Sequence, residues 1–388
     1  MTEKNPAVSI IMPMYNVEKY IGDCLDSLVE QTFKDFEVIV VDDCSTDRSC
    51  EIAESYALKL NLTLIRSEKN SGSPGIARNK GIDIAKGKYL YLVDSDDAIT
   101  ETALGELYNL AEEFQADVVH CEKYFPVQDE NFTTDKSKLT ATAYLKADFV
   151  TEPTLMSENV EERIKQFISG KFDWTTCNQF MRLDFINSNG LRIPTLRASV
   201  DCLFGIYLLC LAESILCVPN AVYIYRRRQG SITETDSLSA TKKVQRYGDL
   251  FLRGFAMLDK FFNNQETFIK NPMNKFLVYD FLINFLMSII NGAYEQAPLH
   301  ELDETVREEV KKIEDTIAIT AFYFDYVNIL RLNLNKYQKE IQSLNEENDK
   351  LRKISMKMIE VANYRRVETQ NLKSVLDNAA VEEVIKFG

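Results

Sequence analysis

Asp94, Ser95, Asp96 and Asp97 stand together directly after the apolar run Tyr89–Val93. Carboxylates this close repel one another unless a cation neutralises them, so one chemistry for the cluster is binding of a divalent metal. Mg2+ and Mn2+ are hard cations that take oxygen ligands, and an Asp-x-Asp pair supplies one or two carboxylates while phosphate oxygens and water complete the shell. Asp96 and Asp97 are the candidate metal ligands. The competing role is a cap, since Asp97 shortly precedes the helical run Thr102–Leu110 and acids favour first turns.

Two basic features stand out in a chain whose net charge is -14. The loop Asn70–Gly75 lets backbone approach a ligand closely, and Arg78 behind it supplies a cation; as plain structure the same loop is a turn before a helix. Farther on, Arg226, Arg227 and Arg228 precede Gly230 and Ser231. Guanidinium forks bind phosphate oxygens bidentately, and in an extended segment Arg226 and Arg228 share a face. One of the three is then a solvated or structural charge. His120 and His300, the only histidines, lie in no motif and read as structural.

These residues need elements to hold them. Val8–Met12 and Glu37–Val41 are apolar runs that end at Pro13 and Asp42, and Ile21, Leu25, Leu28 and Val29 recur between them at helical spacing, which predicts a βαβ unit. The pattern repeats with a helix at Ile52–Ala57, a strand at Leu62–Ile65, a helix at Ile76–Ala85 and a strand at Tyr89–Val93. Strands this apolar are buried on both faces, as in a doubly wound parallel sheet. Such sheets bind ligands at the carboxyl ends of their strands, which is where the acidic clusters Asp42–Asp47 and Asp94–Asp97 fall. Thr46 or Asp47 also suits a turn that caps the next helix.

Four stretches carry a resemblance: Val8–Asn16 (Val-Ser-Ile-Ile-Met-Pro-Met-Tyr-Asn), Val40–Asp47 (Val-Val-Asp-Asp-Cys-Ser-Thr-Asp), Asn70–Asn79 and Tyr91–Asp97. In this order and spacing they resemble the family-2 glycosyltransferases. The resemblance implies an α/β, GT-A (Rossmann-like) nucleotide-sugar-binding domain. It implies that Pro13, Tyr15 and Asp42 hold the nucleobase and ribose of a nucleoside-diphosphate sugar, with Arg78, Asp94, Ser95, Asp96, Arg226, Arg228 and Ser231 as further donor contacts and Mn2+ or Mg2+ as cofactor. An Asp accepts a hydrogen bond from the uracil N–H, which favours a UDP-sugar.

The segment Arg192–Phe204 is similar to the family stretch that carries the catalytic base, and Asp201 is the candidate. Val200 stands where many members have Glu; the alternative role for Asp201 is the N-cap of the apolar helix 203–218. A carboxylate there takes the acceptor's proton as its oxygen attacks the anomeric carbon opposite the departing UDP, an inverting transfer. Trp174, in a stretch that also looks like the family's, is either an acceptor-side stacking platform or core. The short matches look most like wall-teichoic-acid sugar transferases, so a glycan, teichoic-acid or glycolipid hydroxyl is the expected acceptor.

With 45% hydrophobic and 27% charged residues, the chain of 388 residues reads as globular with more than one domain. Its acidity argues against binding nucleic acid. Eight cysteines without close spacing read as reduced, and the N-terminus lacks a leader pattern, so a cytoplasmic location is expected, with any membrane contact peripheral.

From Leu330 on, Leu334, Tyr337, Ile341, Leu344, Asn348, Leu351 and Met358 recur mostly at alternating four- and three-residue steps. This is a heptad seam, and Asn348 is placed like the polar residue that sets register in two-stranded coils; the competing reading is a long solvated helix. The expected organisation is a catalytic domain over 1–235, a helical domain over 236–328 and a dimerising coiled coil with its tail over 329–388, the homodimer forming through 330–362. The competing function is a nucleotide-sugar-binding scaffold without turnover, for which Val200 is the hint.

Overall fold

A computed structural model of the chain describes residues 4–143, 150–170, 172, 174–196, 200–228, 249–294 and 317–386. It divides into two compact units, Met1–Ala321 and Phe322–Gly388.

The first unit opens with the expected alternation: β1 (Val8–Met14), α1 (Ile21–Val29), β2 (Phe36–Asp42), α2 (Ser49–Ser55), β3 (Leu62–Arg66), α3 (Pro74–Ile84) and β4 (Tyr89–Leu92). β1, β2 and β4 are almost wholly buried, as their unbroken apolar runs require, whereas β3 at the sheet edge is half-buried. α1 turns Ile21, Cys24, Leu25 and Leu28 inward. α3 starts on Pro74, whose fixed φ suits a first helical position. It lies close on the sheet because Gly81 has no side chain: a Cβ there would come 2.4 Å from Ile11 Cγ2. Arg78, one turn earlier on the same face, is thereby carried under the strand ends.

The rest of the sheet departs from a uniformly parallel one. β5 (Ala98–Ile99), α4 (Ala103–Glu113), β6 (Val118–Gln128), β7 (Thr142–Ala143), β8 (Thr154–Leu155), α5 (Val160–Ile168), β9 (Gln179–Arg182), α6 (Leu183–Ser188), α7 (Val200–Leu211) and β10 (Ile215–Arg227) follow in the chain. The order across the sheet is β3-β2-β1-β4-β9-β6-β10-β5. β9 runs antiparallel to both β4 and β6, so the sheet is mixed α/β. β6 and β10 are parallel partners of 11 and 13 residues.

Helices Phe255–Phe262 and Pro272–Tyr294 belong to this same first unit. Their aromatic rings pack on α7 and α5, with Tyr207–Phe261 centroids 4.5 Å apart and Phe167–Phe281 5.2 Å apart. Over the described residues these two helices, within the span expected as a helical domain, share one compact unit with the sheet. The second unit is the greater part of one helix of 70 residues, Ile317–Lys386, in which Tyr337, Ile341, Leu344 and Leu351 are exposed. Among the described residues no helix is long and apolar enough to cross a membrane, and all eight cysteines are free.

Candidate active site

β1 and β2 stop side by side, with Met14 opposite Asp42. Pro13 sits inside β1 opposite Val41, and Tyr15, just past the strand, is 48% exposed. Asn16 takes a left-handed φ of 50°, which Asn tolerates, and its Oδ1 accepts the Thr46 N–H at 2.8 Å. The second acidic cluster divides its work. Buried Asp42 accepts the Ser45 N–H at 3.1 and 3.2 Å, and Asp43 accepts both the N–H and hydroxyl of Ser71, tying the glycine loop to the strand end. Asp47 holds the start of α2 by accepting from the Ser49 N–H and hydroxyl and from the Glu18 N–H. It fastens the turn before α2, whose N-cap position is Arg48.

Arg78 is the hub of the site. Its buried guanidinium reaches Asp94 Oδ1 at 2.6 Å with one arm and Asp201 Oδ1 at 3.4 Å with the other. Burial works against its charge, but Asp94 and Asp201 outweigh it and hold its pKa above the ordinary value. Asp201 is the second residue of α7, and its carboxylate turns to Arg78 and to the Thr176 hydroxyl at 2.8 Å. Burial raises its pKa, opposed by Arg78 and Thr176 and reinforced by Asp94. Val200 beside it is buried.

The acidic cluster Asp94–Asp97 separates into two partly exposed acids and one buried acid. The Asp94 and Asp96 side chains keep 36% and 21% of their surface, and Asp96 pairs with Arg228 at 2.8 Å. Asp97 is 2% exposed: its Oδ2 accepts the Tyr223 hydroxyl at 2.6 Å and its Oδ1 the Arg226 N–H at 2.8 Å. Burial, then Asp96 and Asp94, push its pKa well up. Asp97, expected as a metal ligand, thus places each of its oxygens on a bond that fastens β10 to the loop. Burial raises the Asp96 pKa too, helped by Asp94 and opposed by Arg228.

Among the described residues no group of three or more His, Cys, Asp or Glu could hold a metal. Asp94 and Asp96 alone still fit a hard cation of the kind that takes one or two carboxylates and fills its shell with phosphate oxygens and water.

The arginine run is also resolved. Arg226 is buried and bonds Asp23 at 2.6 Å, Asp129 at 2.8 Å and the Asp96 carbonyl at 2.9 Å, with its guanidinium 3.2 Å from the Phe132 ring centroid. Arg226, expected as a donor contact, has every guanidinium nitrogen engaged in holding β10, α1 and the end of β6 together. Arg227 is exposed, while Arg228 faces the acids. Ser231 lies outside the described residues, as does His300. His120 is structural, stacked on Phe172 and paired with Gln179, and burial drops its pKa to about 3.

Trp174 contacts the rings of Phe167, Phe281 and Phe285 at 5.4 to 5.8 Å, so the stacking-platform expectation gives way to a packing role. Tyr223 and Thr176, which position Asp97 and Asp201, were not among the expected site residues. The alternation of Tyr223, Ile224 and Tyr225 is a strand signal that points to Tyr223; nothing local points to Thr176.

Residues 9–184 match the family model described as Glycosyl transferase family 2. Over 238 residues the chain is 32% identical to glycosyltransferase GlyG of Streptococcus pneumoniae, covering 59% of this chain and 73% of that protein. The chain belongs to glycosyl transferase family 2. The chain spans 63% of the length of the uncharacterized glycosyltransferase EpsJ of Bacillus subtilis, at 34% identity over 59% of its own length. It is 46% identical over 113 residues to the poly(ribitol-phosphate) beta-N-acetylglucosaminyltransferase TarS of Staphylococcus aureus, 29% of this chain and 20% of that one. A crystal structure of TarS residues 1–349 with UDP-GlcNAc superposes with a TM-score of 0.58 at 26% identity, covering 76% of this chain and 77% of that one.

Proposed function

We propose that this family-2 chain transfers a sugar from a UDP-sugar to a hydroxyl of a cell-surface glycan, teichoic-acid or glycolipid acceptor, with inversion at the anomeric carbon. The observation that carries the reading is the Arg78 bridge, which joins Asp94 of the acidic loop to Asp201. A carboxylate able to take a proton is held beside the acids that face the donor. The UDP and UDP-GlcNAc complexes of TarS, the fold neighbour, support the choice of donor.

Asp201 removes the proton of the acceptor hydroxyl while that oxygen bonds to the anomeric carbon and the bond to the β-phosphate oxygen breaks, releasing UDP. A base works best with a pKa drawn toward the working pH, the direction in which burial moves Asp201. Arg78 and Thr176 orient it, so the missing Glu at Val200 leaves it held from two other elements. Asp94 and Asp96 would hold Mn2+ or Mg2+, which neutralises the developing charge of the diphosphate. Arg228, on Asp96, adds a guanidinium on the phosphate side, and Tyr15 and Asp42 line the nucleoside end. The work is cytoplasmic in this reading, with peripheral membrane contact, and the chain acts as a homodimer through 330–362.

Thermal denaturation with a panel of UDP-sugars and Mn2+ tests the donor assignment, because a ligand bound only by the folded state raises apparent stability by mass action. At least one UDP-sugar with Mn2+ raises the melting temperature, and the corresponding GDP- and CMP-sugars do not. No response to any UDP-sugar sinks the donor class.

A further inference from the structure

The helix Ile317–Lys386 makes up nearly all of its own unit, and a helix of mixed composition draws its stability chiefly from packing an apolar face. Over residues 337–351 the large apolar residues follow one line: Tyr337, Ile341, Leu344 and Leu351 are 57–64% exposed, at steps of four and three with Asn348 between the two leucines. That 3.5-residue period is the seam of a left-handed supercoil, in which Ile341 and Asn348 take the a positions and Leu344 and Leu351 the d positions.

Two further features choose among the possible partners. In a parallel pair in register, Asn348 meets Asn348 and the two amides bond each other; in an antiparallel pair a faces d, so each amide would be buried against a leucine without a partner. The parallel register also sets residue i of one helix beside residue i+5 of the other along the flanks. Glu347 then meets Arg352, an attractive pair, and Ile354 meets Ile359, both apolar and exposed in the single chain.

We propose that Ile317–Lys386 pairs with the same helix of a second copy of this chain, parallel and in register, so that both chains enter the rod from the same end. The rod is about 105 Å long at 1.5 Å per residue. The parallel register rests on the homodimer reading above and stands on different residues from the transfer site.

Light scattering on the full chain, a Leu344→Glu/Leu351→Glu variant and two single cysteine variants test this. None of the native cysteines lies in the helix. The wild type gives twice the 44.6 kDa chain mass and the double variant gives one chain mass. Ser355→Cys, at the next a position, is oxidised to a covalent dimer, whereas Lys353→Cys on the outer face is not. A wild type of one or three chain masses, a double variant that stays paired, or no cross-link through Ser355→Cys would overturn the proposal.

Discussion

Arg78 and Asp201 are separated by 123 residues of sequence and 3.4 Å of space, and the same guanidinium holds Asp94 at 2.6 Å. One buried cation thus sets the distance between the acidic loop and the start of α7. Arg78 is 6% exposed and both carboxylates 36%, so its loss leaves two acids that water reaches only in part.

Arg78→Met therefore destabilises the fold by about 1–3 kcal/mol, toward the low end of what breaking a buried pair costs because both acids can hydrate. Arg78→Lys recovers only part of this, since an ammonium lacks the fork that spans two carboxylates. Chemical denaturation of the two variants beside the wild type measures both losses; equal stability of all three would remove Arg78 from this position.

The Asp97–Tyr223 contact has a pH signature. Asp97 binds its proton more tightly in the folded than the unfolded state, so its favourable contribution is complete below the unfolded value near 3.8 and is lost as pH rises through the folded pKa. Asp97→Asn removes that loss. Its stability relative to wild type should rise with pH across this window and level off above it, read from melting temperatures between pH 4 and 8. A difference that does not change with pH counts against a buried carboxylate at this position.

The neighbouring arginines separate stability from binding. Arg226→Ala costs about 2–4 kcal/mol of stability, because the buried guanidinium joins three elements while its partners Asp23 and Asp129 are partly exposed. Arg228→Ala leaves the melting temperature nearly unchanged and raises the donor KM by about tenfold to a hundredfold, the scale of lost charge-assisted bonds. Reversed effects would contradict the roles assigned here.

The first hundred residues were legible because their strands are buried on both faces, so β1, β2 and β4 appear as unbroken apolar runs and their ends mark the crevice. β10 was not. Pro219 and Asn220 interrupt its run, and the register shifts between Val218 and Ala221 show that the strand absorbs them as an irregularity. The site residues divide along the same line. Asp94, Arg78 and Asp201 stand out by type and motif and do meet in space, and Asp96 meets Arg228. The packing of Asp97 and Arg226 was not legible, because it depends on Tyr223, Asp23 and Asp129, at separations of 97 to 203 residues that no local pattern encodes.

The central claim is that Asp201 is the base of a UDP-sugar-dependent transfer, and UDP release by the purified chain with Mn2+, donor and acceptor extract tests it most directly. The account predicts release by the wild type that EDTA abolishes. For Asp201→Asn it predicts a donor-induced rise in melting temperature equal to that of wild type and a turnover lower by roughly 100- to 10,000-fold, the span of general base catalysis. Wild-type turnover in Asp201→Asn, or no UDP released by the wild type from any UDP-sugar, would contradict it.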